Sequence, residues 1–154
     1  MGREYPQAPV AGVGAVVLRE GRVLLVRRGR EPLRGRGSLP GGVLELGETL
    51  MEGVVREVFE ETGLRVVPRQ IVETFDRIHR DPDGRQQYHY VLVDFLCHVE
   101  CGELGSGDLI SGDDAEDVCW AARADLLPGG PYQLEPFTSA VIEKAIAIAE
   151  ALKS

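Results

Sequence analysis

The stretch Gly42-Val-Leu-Glu-Leu-Gly-Glu-Thr-Leu-Met-Glu-Gly-Val-Val-Arg-Glu-Val-Phe-Glu-Glu-Thr-Gly-Leu64 decides how the chain is read. Its second half predicts a helix from about Thr49 to Thr62, with Thr49 near the N-cap and Gly63 placed as a C-terminal stop. At 100° per residue Met51, Val55, Val58 and Thr62 share one side, flanked by Val54 and Phe59, and this is the expected core contact. Glu57, Glu60 and Glu61 then share an arc of about 100° on the other side. Acidic helix faces are most often solvated surface. Here the local electrostatics oppose that reading. Glu57 and Glu61 are like charges at i,i+4, and Glu60 and Glu61 sit in the last turn, where the helix dipole disfavours acids. The acids have the wrong sign at every position unless a cation binds them. Hard divalent ions such as Mg²⁺ or Mn²⁺ take carboxylate and carbonyl oxygens and keep waters that substrate phosphates can replace.

Outward from the helix, Val10 to Arg19 and Arg22 to Arg27 read as strands joined by a tight hairpin at Glu20-Gly21. Gly12 and Gly14 inside the first strand predict a bulge or a close approach of another backbone. Residues 29–37 and Leu39-Pro-Gly-Gly42 read as loops. After the helix, Arg65 to about His79 and Gln86 to Val99 form an antiparallel pair around a turn at Asp81-Pro-Asp-Gly84. A glycine-rich acidic loop spans Cys101 to Asp114, a short strand Glu116 to Ala121, and a closing helix runs from Glu135 to Leu152 with Pro136 in its first turn.

The whole has 154 residues, a length expected for one domain with a real core. With 44% apolar and 27% charged residues, it falls outside the composition of disordered chains. A net charge of −8 argues against nucleic acid or an anionic membrane as partner. An anionic substrate is still allowed if a cation or local arginines offset that field. No apolar run is long enough to span a bilayer and the start has no apolar signal region, so the expected setting is cytoplasmic. Cys97, Cys101 and Cys119 suit a reducing compartment, and with His98 they match no common zinc spacing.

Gly42, Glu48 and the run Arg56-Glu57-Val58-Phe59-Glu60-Glu61-Thr62-Gly63-Leu64 together resemble the complete 23-residue Nudix box. Leu39-Pro40-Gly41 and the opening hairpin are also similar to that family. The resemblance is strong over about residues 10–64 and rests on element order elsewhere. It implies an α+β fold, an α/β/α sandwich with a mixed β-sheet between helices, as one domain over 1–154. It further implies that Glu57 and Glu61 ligate the catalytic metal, that Glu60 assists or binds a second ion, and that the carbonyl of Gly41 completes the inner shell. Arg56 would pair with Glu48 to fix the loop against the helix, and Gly41 and Gly42 would lie against substrate. Two positions depart from the family: Gly37, where many members carry tryptophan, and Gly53, where alanine is usual and a mid-helix glycine costs up to about 1 kcal/mol.

The reaction so implied is magnesium-dependent hydrolysis of the diphosphate linkage in a nucleoside diphosphate derivative, with an ADP-ribose-like compound the first expectation. The same box serves enzymes that cleave nucleoside triphosphates, oxidised ones included. A binding module that lost activity is a third reading, disfavoured by the intact acids. The general base is left open between Glu57, Glu60 and the acids of residues 112–117. Seven arginines lie at 19, 22, 27, 28, 30, 34 and 36, either an exposed loop or a cationic patch, with Arg27 the expected phosphate contact. Tyr88 and Tyr90 should share one face of their strand, with His89 on the other. Asp81-x-Asp83-Gly84 reads as a turn rather than a calcium loop, and Gly12-x-Gly14 lacks the helix and third glycine of a dinucleotide fingerprint. The oligomeric state is open, and the long strands are compatible with a two-fold homodimer.

Overall fold

The computed structural model describes residues 3–29, 34–100 and 115–153, with backbone alone over 115–117. The elements are β1 (Val10–Arg19), β2 (Arg22–Arg28), β3 (Gly37–Ser38), β4 (Gly41–Val43), α1 (Leu50–Thr62), β5 (Val66–Arg80), β6 (Gln86–Val99), β7 (Ala115–Ala122) and α2 (Pro136–Lys153). The hairpin between β1 and β2 turns through Glu20 and Gly21, both with positive φ, which matches a right-handed strand twist.

β1 and β2 pair only beside that hairpin, at Leu18↔Val23 and Arg19↔Arg22. Farther along they diverge, and β3 pairs with β2 while β4 pairs with β1. The 37–43 segment, expected as loop, therefore supplies two very short strands. Its composition has no strand period, and the pairing comes from the backbone groups that the diverging strands offer. On its other edge β1 runs parallel to β6 from Val10↔Tyr90 to Leu18↔His98, and β5 pairs antiparallel with β6. The sheet is mixed.

Alternation along β1 divides the core. Val13, Ala15 and Val17 pack with Val54 and Val58 of α1, and Phe95 and Cys97 of β6 join them. Val16 packs on the other face with Leu96 and with Val141, Ile142 and Ala145 of α2. Helices on both faces of one mixed sheet make the α/β/α sandwich. Among the described residues no helix is long and apolar enough to cross a membrane.

α1 has the expected ends: Thr49 and Glu52 form a reciprocal capping box, and Gly63 closes the helix in the left-handed region. Its buried face differs from the expected one. Val54, Val58 and Thr62 are fully buried and Glu61 nearly so, whereas Met51 and Phe59 are 51% and 42% exposed. The helix is turned so that one of its acids enters the interface, and Phe59 is covered instead by the Arg65 guanidinium, 4.6 Å from the ring centre.

Candidate functional site

Arg56, in the middle of α1, organises one half of the site. Its Nε and Nη2 donate to the two oxygens of Glu48 at 2.6 and 2.9 Å, the forked pairing that a guanidinium and a carboxylate favour. Nη2 also donates to the Val43 carbonyl at 3.1 Å, tying β4 to the helix. Nη1 donates to Glu57 at 2.8 Å and to Glu60 at 3.1 Å. One arginine thus donates to three carboxylates, with that of Glu45 a fourth at 3.7 Å. The Arg56 hydrogen bonds hold the Glu48 carboxyl below its usual range, while burial pushes that of Glu57 up against the opposing pull of Arg56.

The glycines of β4 bring this network against the sheet. The Gly41 N–H donates to Glu61 Oε1 at 2.7 Å, and the Glu57 carboxylate lies where a Cβ on Gly42 would be, 2.5 Å from that position. A side chain at either glycine would displace an acid or the β1 backbone. Gly53 has a similar cause: a Cβ there would collide with Leu44 and stand 3.1 Å from Glu48 Oε1. The helical cost of that glycine accompanies close packing of the 44–48 loop. Gly37 donates to the Tyr132 carbonyl at 2.8 Å, and Tyr132 occupies the space a larger residue would need.

On the α2 face of the sheet lies a cavity whose floor is β1 and β6 and whose wall is β4. Gly12, Gly14, Gly41 and Gly42 line it, with Leu92 and Asp94 of β6 and Phe75 of β5. Arg28 and Arg36 reach it from the β2–β3 side, and a smaller recess shared by Arg28, Gly41 and Gly42 leads to Glu61. Burial lowers the pKa of Arg28, and the Glu61 charge counters that effect.

Several expectations meet their test here. The Arg56–Glu48 pair forms, and Glu57, Glu60, Glu61, Gly41 and Gly42 are brought into one neighbourhood. Gly41 meets the acids through its N–H. Arg27 does not come to the cavity: it is exposed on β2 and lines a separate hollow with Tyr132 and Gln133. Successive strand residues face opposite ways, so the neighbouring Arg28 is the inward one. Tyr88 and Tyr90 do share a face, their rings stacked 6.3 Å apart, and Tyr90 lines the cavity. Asp81 accepts from the N–H groups of Asp83 and Arg85, which is a turn. Cys97 is buried and its thiol is pushed up to about 12; Cys101 lies outside the described residues.

The acids at 113 and 114 lie outside the described residues, as do the side chains of Glu116 and Asp117. Among the described residues no three His, Cys, Asp or Glu side chains are gathered as a metal-holding group. Arg56 Nη1 stands between Glu57 and Glu60. Those two carboxylates and Glu61 are the groups that could hold a divalent ion, and the excess of carboxylates over guanidinium around Arg56 suits one. The sequence reading did not single out Asp94, Arg77 or Glu135. A single aspartate within an apolar strand was the available signal for Asp94.

A profile of the NUDIX domain matches residues 8–144. An ADP-ribose pyrophosphatase of Methanocaldococcus jannaschii is 37% identical over 100 residues, 65% of this chain and 57% of that protein. The chain spans about half the length of the curated relatives it matches. A NUDIX hydrolase from Nitrosomonas europaea superposes with a TM-score of 0.73 at 22% identity, covering 91% of this chain and 90% of that one, a likeness of fold alone. A MutT NUDIX hydrolase from Burkholderia pseudomallei gives 0.69 at 29% identity, covering 90% and 98%.

Proposed function

The chain belongs to the Nudix family, and from that premise we propose that it hydrolyses the diphosphate linkage of a nucleoside diphosphate derivative, an ADP-ribose-like compound first. The observation that carries this reading is the position of Gly41 and Gly42. They touch Glu61 and Glu57 and also line the cavity, so a diphosphate resting on their backbone lies against the acids of α1. Arg28 and Arg36 supply positive charge there, in a chain that is otherwise acidic.

Glu57, Glu60 and Glu61 are the residues that would hold a magnesium ion, whose chemistry is to neutralise diphosphate charge and acidify water. Arg56 keeps two of these carboxylates in place, and Glu48 in turn fixes Arg56. Glu57 and Glu60 are also the candidates, within the described residues, to take the proton of the attacking water. Asp113 and Asp114, outside the described residues, and Glu116 and Asp117 are the other candidates. Support for the substrate class comes from the relative named an ADP-ribose pyrophosphatase.

The test is a panel of ADP-ribose, ADP-glucose, NADH, diadenosine polyphosphates, dNTPs and 8-oxo-dGTP, assayed with magnesium, with manganese and with chelator. ADP-ribose should give AMP and ribose 5-phosphate, and chelation should abolish turnover. Faster release of a monophosphate and pyrophosphate from triphosphates would replace this substrate class with the other. No turnover of any member would make the chain a binding module. Glu57→Gln should lower kcat by at least about 100-fold; a change of only a few-fold would refute the metal assignment.

A further inference from the structure

Away from the Arg56 network, a buried carboxyl opens on the cavity. Asp94 is 6% exposed and lies in parallel register with Gly14. Its Oδ1 leans over Gly14 and occupies the place of the missing Cβ. Arg77, its cationic neighbour from β5, is engaged with Glu135, the residue before α2, through two hydrogen bonds of 2.9 and 3.1 Å. Among the described residues Asp94 itself has no hydrogen bond. Burial pushes its carboxyl up to about 7, Arg77 pulling down and Glu73 pushing up.

A largely buried carboxyl with no hydrogen bond among the described residues is costly, and its oxygens keep only the contact with the cavity. The surroundings indicate what completes it. Leu92 precedes it on the same face of β6, Phe75 faces the cavity from β5, and Gly12 and Gly14 leave the floor flat. At this end of the cavity Leu92 and Phe75 give apolar walls beside Asp94, with the Arg77–Glu135 pair also lining it and Arg28 and Arg36 at the β2–β3 side. A ring could lie there between apolar surface and a few polar groups.

We propose that Asp94 reads the nucleobase of the substrate, accepting a hydrogen bond from the exocyclic amino group of a purine that lies over Gly12 and Gly14 beside Leu92. The inference rests on the proposed function and narrows its substrate to amino-bearing purines. Once ionised the carboxylate offers acceptors only, so its partner in that state is a donor. Phosphate oxygens are disfavoured beside the ionised carboxylate, both being acceptors of like charge, and belong at the arginine end, by Arg28. Of the donors a nucleotide carries, ribose hydroxyls and base amino groups, the apolar walls favour the group on a ring.

The experiment uses the full chain at pH 8.5, where the carboxyl is ionised and accepts only. Rates with magnesium are compared for ADP-ribose and for inosine diphosphate ribose, which carries an acceptor oxygen in place of the amino group. Wild type, Asp94→Asn and Asp94→Leu are measured. Equilibrium binding of AMP, IMP and 2′-deoxy-AMP is followed in parallel without turnover. Wild type should favour the adenine compound by about tenfold or more in kcat/KM, since the wrong base leaves buried polar groups unpaired. Asp94→Leu should bring that ratio close to one. Asp94→Asn, whose amide can donate to the inosine oxygen, should raise the rate on inosine diphosphate ribose.

Equal wild-type rates on the two compounds would overturn the proposal, as would an unchanged ratio in Asp94→Asn. If Asp94→Leu erases discrimination against 2′-deoxy-AMP and keeps the preference for AMP over IMP, the carboxyl reads ribose and the base assignment falls. Should wild type cleave neither compound, the proposed function fails. The AMP and IMP binding ratios then decide this inference alone, and equal ratios in wild type and Asp94→Asn overturn it.

Discussion

α1 and α2 press on opposite faces of one sheet and bury different chemistry. α2 inserts Val141, Ile142, Ala145 and Ala149, with Ser139 satisfied by the Leu126 carbonyl at 2.6 Å. α1 inserts Val54, Val58 and Thr62 but also a carboxylate, Glu61, and holds two more around Arg56. The α2 contact with the sheet is a hydrophobic interface, although Thr138 in its first turn lines the cavity. The α1 contact is held partly by charge, and its charges are arranged for something other than stability, since an apolar surface would pack at lower cost. The cavity lies on the α2 side, and the β4 glycines are the thin boundary through which the two faces communicate.

Removing Arg56 should break that contrast most severely. Arg56→Ala strands Glu48 and Glu57, both largely buried, at about 3 kcal/mol of stability, and should lower kcat by a larger factor than any α2 substitution. Urea unfolding and steady-state rates on the same samples check both effects. On the other face, Ile142→Ala should cost about 2–4 kcal/mol through its cavity and leave kcat within a few-fold. A large drop in kcat with the protein still folded would mean that α2 shapes the site.

Asp94 sharpens the comparison because it is a buried carboxyl on the α2 side. Its folded pKa of about 7 lies above the unfolded value near 3.9, so the folded state holds the proton longer. Stability contributed by the neutral acid is present at low pH and is lost as pH rises from about 4 through about 7. Asp94→Asn has no such slope, and its stability relative to wild type should grow between pH 4 and 8, by at most about 4 kcal/mol. A flat difference across that window would show a carboxyl already ionised in the fold.

Two smaller effects test the packing of α1. Helix propensity alone has Gly53→Ala stabilising by up to about 1 kcal/mol; the Leu44 methyl and Glu48 Oε1 must give way, and thermal unfolding should show less than that gain. Thr49→Ala should cost about 1 kcal/mol by removing the cap, with kcat unaffected.

Much of this was legible in the residues. Alternation and turn residues located β1, β2, β5 and β6, and caps located α1 almost to the residue, because these signals depend on neighbours in the chain. The Arg56–Glu48 pair was also reached, through the resemblance of the box. β3 and β4 were not legible, since short glycine-rich segments become strands only where diverging partners offer them hydrogen bonds. The buried face of α1 was misplaced because all three acids were set away from the core, whereas Glu61 is held in the interface by the Gly41 N–H. Arg27 was preferred to Arg28 without knowledge of which face of β2 the cavity occupies.

By itself, then, the box between Gly42 and Leu64 determined the family resemblance, the helix with its ends, and the three acids that call for a cation. Tertiary structure alone decided which arginine enters the cavity, why Gly12, Gly14 and Gly53 are glycines, and that Asp94 stands without a described hydrogen bond on the cavity floor. The physical reason is one of range. Propensity and capping act within a few residues, while burial and close approach depend on strands such as β1 and β6, whose paired residues are far apart in the chain.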